Sequence, residues 1–218
     1  MANDTAAPKV LIFWDNSNIF IPAKYVATHR DGGFAGTNVR VQFDNLLRLA
    51  RAGRQVQAGV CVGSVPRELR TLWDRLRGLG IAVELYERGQ GSGREQGVDQ
   101  CLQVHMLRTL SDIQPPQVAV LLTGDGKGYE NGVGYHADLE RLARAGWGIE
   151  VLSWDVACNG RLKAWASECG IYVPLENYYD SVTFIEGGRR ATPLSLVHRG
   201  RATPRSIADA TQDIKVTS

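Results

Sequence analysis

The sequence VLIFWD at residues 10–15 is an uninterrupted run of apolar side chains that ends in an aspartate. A short, wholly apolar run is typical of a β-strand that is buried on both faces, as strands of parallel sheets are. The sequence VAVLLTGD at residues 118–125 repeats the pattern, with Asp125 following the run through a Thr-Gly pair. The two stretches therefore predict two parallel strands that are each followed by an acid.

Strands and helices alternate along the chain on either side of these two runs. We predict strands at residues 9–14, 55–62, 81–86, 117–122, 149–154 and 171–173. The intervening segments carry apolar residues at helical spacing, except that only a loop or short helix is predicted directly after the first strand. This alternation predicts an α/β fold with a mostly parallel sheet and helices on both faces.

Composition is that of an ordinary globular protein. The chain has 218 residues, 44% hydrophobic and 22% charged, and a net charge of +2, which excludes a strongly basic protein. Its four cysteines show no C-x-x-C spacing, and Cys61 and Cys101 lie within apolar patterns, which predicts small buried thiols in a reducing compartment. Neither a signal peptide nor a membrane-spanning run is evident, so we expect a cytoplasmic protein.

The chain divides into a domain at residues 9–175 and a C-terminal extension at residues 176–218. From about residue 186 the extension is basic and rich in Gly, Ser, Thr and Pro, a composition typical of flexible segments. Its basic residues are Arg189, Arg190, Arg199, Arg201, Arg205 and Lys215. The extension is either a solvated terminus without a role or an arm that attracts phosphate groups.

Three acids are predicted to meet at one edge of the sheet. If the chain reverses its direction of winding between the first and fourth strands, those strands are neighbours, and a crevice opens between their carboxyl ends. Asp15 and Asp125 would face each other across it, and Asp99 opens a helix between them. Several carboxylates held together need a cation, which predicts a divalent metal site. Each acid alone has a structural explanation, as a helix cap, a first-turn helix acid or part of a tight turn.

Other catalytic motifs are poorly represented. No G-x-G-x-x-G follows the first strand, and neither G-x-x-x-x-G-K-[ST] nor G-x-S-x-G occurs. The glycine-rich segment at residues 124–128 contains Lys127 and leaves a phosphate-binding loop as a minor alternative. None of the four histidines pairs at zinc-ligand spacing.

Three segments together resemble the NYN domain of the PIN-like nuclease superfamily: VLIFWDNSNIF, REQGVDQCLQVHM and LLTGDGKGYENGVGYHADLERLARAGWGIEVLSW. The resemblance rests on Asp15 with Asn18 three residues later, on the Val-Asp pair that contains Asp99, and on the Gly-Asp pair that contains Asp125. The chain departs from the pattern at Lys127 and His105, two positions where many relatives carry an acid.

The resemblance implies a Rossmann-like, PIN-like fold and an Mg²⁺- or Mn²⁺-dependent endoribonuclease. The acids Asp15, Asp99 and Asp125 would bind the metal and carry catalysis, with Asp138, Glu95 and Glu130 as further candidate ligands. Asp138 could equally be a structural acid near the start of its helix. Lys127, Arg88 and Arg94 would bind backbone phosphates of single-stranded RNA, and Asn18 would either orient Asp15 or contact a phosphate of that RNA. Two alternatives remain, a non-catalytic module that binds RNA or protein and a hydrolase of small phosphate esters. Whether the chain forms a homodimer stays open.

Overall fold

A sheet of six parallel strands forms the centre of the computed structural model. The structure describes residues 8–63, 70–85, 94–124, 132–195 and 200–205. Within these ranges, residues 70–72, 85 and 94–99 are described by their backbone alone. The strands of the described residues are β1 (Val10–Asp15), β2 (Val39–Val41), β3 (Val56–Gly63), β4 (Ile81–Leu85), β5 (Val118–Leu122), β6 (Gly148–Ser153), β7 (Ile171–Pro174) and β8 (Thr183–Ile185). The large sheet has the order β4-β3-β1-β5-β6-β7. Strands β2 and β8 form a separate antiparallel pair.

Helices cover both faces of the large sheet. They are α1 (Asn16–Asp31), α2 (Gly33–Asn38), α3 (Phe43–Arg51), α4 (Arg70–Gly78), α5 (Arg94–Asp112), α6 (Tyr135–Arg144), α7 (Gly160–Cys169) and the short α8 (Tyr179–Val182), which follows a 3₁₀ turn at Leu175–Tyr178. On one face, Ile12 and Trp14 pack with residues of α1, α3 and α4. On the other face, Leu11 and Phe13 pack with residues of α5, α6 and α7. The predicted α/β fold is confirmed.

The direction of winding reverses at β1, as the sequence predicted. Strand β1 pairs in parallel with β3 on one side and with β5 on the other, with Val10 opposite Val118 and Trp14 opposite Leu122. The carboxyl ends of β1 and β5 therefore lie side by side at the point where α/β folds place their ligand sites.

Helix α1 is longer than the loop or short helix that the sequence predicted. Its sixteen residues include Pro22 within the helix, and its buried face uses the small side chains of Ala23 and Ala27 beside Ile19. Proline usually disrupts a helix, and alanine gives little hydrophobic contrast, so the apolar periodicity is weak. Packing compensates: the indole N–H of Trp154 donates to the carbonyl of Ile19 at 2.8 Å inside the core.

The described part of the C-terminal extension packs on the domain, which departs from the expectation of a flexible segment beginning near residue 186. Leu194 and Ala202 are each 8% exposed and belong to the hydrophobic cluster that includes Ile12 and Trp14 of β1. The guanidinium of Arg189 lies over the ring of Tyr179 and donates to the carbonyl and hydroxyl of Thr183. Apolar residues spaced among the basic ones therefore anchor this segment.

A buried ion pair joins the extension to the sheet. Arg54, just before β3, makes two bonds to the carboxylate of Glu150 in β6, at 2.7 and 2.9 Å. The backbone N–H of Ala202 donates to the same carboxylate at 2.8 Å, and Arg54 donates to the Ala202 carbonyl at 3.4 Å. The charges are thus satisfied by each other and by the extension, as buried charges must be.

Candidate active site

Asp15 lies where β1 ends and α1 begins, and its carboxylate caps the helix. The backbone N–H of Asn18 donates to Asp15 Oδ1 at 3.1 Å, and the Asn18 side-chain amide donates to Oδ2 at 2.8 Å. An aspartate at this position satisfies N–H groups that the first helical turn leaves without partners. The predicted capping role and the candidate site role therefore fall on one residue.

The residue that follows strand β5 lies close to Asp15 and Asn18. The Asn18 side-chain amide also lies 3.4 Å from the hydroxyl of Thr123, which directly follows β5. The hydroxyl of Tyr135, at the start of α6, lies 3.5 Å from Asp15 Oδ2. Gly124 comes so close to α1 that an added Cβ would stand 3.3 Å from the Asn18 carbonyl. The ends of β1 and β5 are thus packed tightly together around Asp15.

The Asp15 carboxylate lies at the end of a buried strand. It is 2% exposed, and it adds to the raised pKa of the neighbouring Cys61 thiol, which burial raises in the first place. At the same strand end, Asn16 Oδ1 is buried and accepts no hydrogen bond from any residue that the structure describes. Oxygen donors of this kind are the ligands that Mg²⁺ and Mn²⁺ prefer.

The structure describes the position of Asp99 through its backbone. Helix α5 begins at Arg94, so Asp99 is the sixth residue of the helix. The prediction that Asp99 opens the helix is therefore wrong, because residues 94–98 already belong to it. Arg, Glu and Gln are good helix formers, and they outweigh the cost of Gly97.

The other predicted site residues are described to different extents. Asp138 in α6 is 3% exposed, and its Oδ1 accepts from Arg141 at 2.6 Å. Burial raises the pKa of Asp138, and Arg141 opposes the rise. Its Oδ2 has no partner among the described residues. Glu95 and Arg94 are described by their backbone alone, and Asp125, Lys127, Glu130 and Arg88 lie outside the described residues.

Sequence reasoning missed Thr123 and Tyr135, and it also missed a cluster of three side chains formed by Glu84 of β4 with Cys101 and His105 of α5. Their ligand-type atoms all lie within 4.8 Å of one another. Cys101 is partly exposed and donates to Glu84, so the prediction of a buried thiol is wrong for Cys101, whereas Cys61 is buried as predicted. The four-residue spacing of Cys101 and His105 was the available signal, since it places both on one helix face.

Comparison with known protein families identifies the chain. A family model for the NYN domain matches residues 9–174. The chain belongs to the NYN domain family. A search of curated proteins found no match. The NYN domain is a nuclease-type domain of the PIN-like class, generally dependent on divalent metal ions, and RNA is the substrate class that it suggests.

The oxygen atoms around Asp15 are of the chemical kind that binds a divalent cation, on which NYN nucleases generally depend. The contacts described for this carboxylate come from an amide, a backbone N–H and a hydroxyl, and the orphaned oxygen of Asn16 lies at the same strand end.

Among the described residues, no helix is both long and apolar enough to span a bilayer.

Proposed function

We propose that this NYN domain is a ribonuclease that uses Mg²⁺ or Mn²⁺ to hydrolyse phosphodiester bonds within single-stranded RNA. The observation that carries the proposal is the position of Asp15, a buried carboxylate at the carboxyl end of β1 beside the end of β5. This is the edge of the sheet where α/β enzymes hold their catalytic groups.

The placement of the two other acids in the chain supports convergence on Asp15. Asp125 follows Thr123 by two residues, and Thr123 already lies within reach of Asn18. Asp99 precedes Leu102 by three residues and Met106 by seven, the spacing of one helix face, and both of those residues pack against the sheet face that carries Phe13. Asp15 follows Phe13 by two residues in β1, so its side chain lies on the same face of the sheet, because side chains alternate along a strand.

Each residue has a proposed task. Asn18 holds the Asp15 carboxylate in a fixed orientation through two hydrogen bonds. Asp15, Asp99 and Asp125 hold the cation, with Asp138, Glu95 and Glu130 as further candidate ligands. Lys127, Arg88 and Arg94 bind backbone phosphates, which gives affinity that falls with salt and does not depend on base sequence. A bound divalent ion supplies an activated water and stabilises the charge on the leaving oxygen.

A cleavage assay on a labelled single-stranded RNA tests the proposal. Purified protein is expected to cleave the RNA internally with Mg²⁺ or Mn²⁺ and to lose all activity in EDTA. Asp15→Asn, Asp99→Asn and Asp125→Asn should each remove activity. Asp74→Asn is the matched control, because Asp74 is exposed and pairs with Arg77 on the surface of α4. Full activity of Asp15→Asn would overturn the proposal.

The second candidate function is a non-catalytic module that binds RNA or protein on the same fold. Lys127 favours this module, because a positively charged side chain at a position that is often acidic in the family would weaken metal binding. RNA binding that persists in EDTA, without cleavage under any metal condition, would favour this module. Hydrolysis of small phosphate esters in place of RNA would indicate a phosphatase.

We further propose that the protein acts in the cytoplasm. Gel filtration of the pure chain tests whether it forms a homodimer.

A further inference from the structure

A second cluster of potential metal ligands lies on the edge strand of the sheet. Glu84 Oε1 lies 2.7 Å from His105 Nε2, and the Cys101 thiol donates to Glu84 Oε2 at 2.7 Å. The side chains of Glu84 and His105 are 38% and 31% exposed, so an ion can reach them from solvent. The cluster joins β4 to α5 with one ligand atom of each chemical type: oxygen, sulfur and nitrogen.

The chemistry of this set differs from that of the aspartate site. Thiolate and imidazole are the ligands that Zn²⁺ prefers, and a Cys, His and carboxylate set leaves a fourth tetrahedral position for water. Zinc bonds of about 2.0–2.3 Å place tetrahedral ligand atoms roughly 3.3–3.8 Å apart. The three atoms here lie within 4.8 Å of one another, so small side-chain movements would make room for an ion.

The cluster is separate from Asp15 but lies on the same face of the sheet. Asp15 is paired with Val62 of β3, and Val62 is paired with Glu84 of β4. Two strand spacings separate Asp15 from Glu84, or about 10 Å. One ion could not be shared by the two sites at this distance.

We propose that Glu84, Cys101 and His105 form a binding site for Zn²⁺, distinct from the proposed catalytic cation site. The ion ties the edge strand β4 to α5, the helix that carries Asp99. The neighbouring donors already hold the pKa of Glu84 below its ordinary value, with the Cys101 hydrogen bond as the largest cause.

Titration of the metal-free full chain with Zn²⁺ and with Co²⁺ tests the site. We expect one high-affinity equivalent per chain and, with Co²⁺, a thiolate-to-metal charge-transfer band together with the visible bands of a tetrahedral complex. Cys101→Ser should abolish the charge-transfer band. His105→Gln and Glu84→Gln should each weaken Zn²⁺ binding by about 100-fold or more, beyond the 10–100-fold typical of losing an outer-sphere group.

Two control variants make the result specific. Cys169→Ser changes another partly exposed cysteine and should leave the band intact. Asp15→Asn should also leave it intact, because the proposed catalytic cation does not use the thiol. Melting curves of the metal-free variants establish that each one folds. A band that survives Cys101→Ser, or wild-type protein that gives no thiolate band, would overturn the proposal that Glu84, Cys101 and His105 bind Zn²⁺.

Discussion

The side chain of Asp15 combines two roles that substitutions can separate. It caps α1 through Asn18, and it supplies the negative charge at the carboxyl end of β1. Asparagine keeps the capping oxygen and removes the charge, whereas alanine removes both.

We therefore predict that Asp15→Asn and Asp15→Ala are both inactive but differ in stability. Asp15→Asn should lose less stability than Asp15→Ala in metal-free buffer, because asparagine keeps the oxygen that caps the Asn18 N–H, although its NH2 group cannot accept from the Asn18 side chain as Oδ2 does. Asp15→Ala should lose about 1–2 kcal/mol, because Asn18 then lacks its acceptor. Urea denaturation of the two variants measures this, and equal stabilities would show that the cap contributes nothing.

His136 gives the fold a dependence on pH. It is buried against the ring of Trp165, and burial lowers its pKa, although Glu140 opposes the shift. The folded protein then binds fewer protons than the unfolded chain as the pH falls through about 6.5, so stability decreases in that range.

We predict that His136→Gln flattens this decrease. The wild type should lose stability between about pH 7.5 and about pH 5.5. The variant should lose less over the same range, whatever its absolute stability. The control is His29→Gln, since His29 is exposed on α1, with its ring in tilted contact with the ring of Tyr25 at the surface. Denaturant titrations at several pH values make the measurement, and identical slopes for wild type and His136→Gln would contradict it.

At the scale of elements, α1 and α2 approach each other at a glycine. A Cβ on Gly36 would overlap the hydroxyl of Thr28 and stand 3.1 Å from the backbone carbonyl of Lys24. Gly33, in the same helix as Gly36, has no atom within 4 Å of its ideal Cβ position.

We predict that Gly36→Ala lowers the free energy of unfolding by about 1–3 kcal/mol, because overpacking forces the two helices apart. Gly33→Ala should be neutral or slightly stabilising, because alanine restricts the unfolded chain without a clash. Thermal melts of the pair provide the comparison. Equal melting temperatures would mean that α2 shifts freely away from α1.

Elements with a strong local signal could be predicted from the sequence, and others could not. The runs at residues 10–14 and 118–122 are uniformly apolar, and the pairing of their strands followed from the reversal of winding. The three-residue strands β2 and β8 are too short to show any periodicity. The apolar periodicity of α1 is weak, because its buried face uses alanines and the helix contains Pro22. At the site, Asp15 with Asn18 was found, but Thr123 and Tyr135 act through contacts across the fold, which spacing does not reveal.

At the scale of the whole molecule, the C-terminal extension packs against the sheet near the start of β6. Residues 200–205 satisfy the Arg54–Glu150 pair through Ala202, and the N–H of Arg205 donates to the carbonyl of Gly146. Removal of this segment leaves a buried carboxylate with one donor fewer.

We predict that a chain ending at residue 199 is less stable than the full chain by about 1–3 kcal/mol, which is the usual cost of an unsatisfied buried polar group. A chain ending at residue 205 keeps every contact described here and should melt like the full chain. Calorimetry of the two truncations measures the difference. If both melt alike, the extension adds nothing to the stability of the sheet.

The central position of β1 has a consequence for biosynthesis. This strand is made first, yet its neighbour β5 begins only at Val118, and the segment that closes the sheet arrives after residue 199. A growing chain therefore exposes an apolar strand with an unpaired edge until β5 has been made, a state that favours aggregation. Nascent chains of this domain should need protection by chaperones until β5 has emerged from the ribosome.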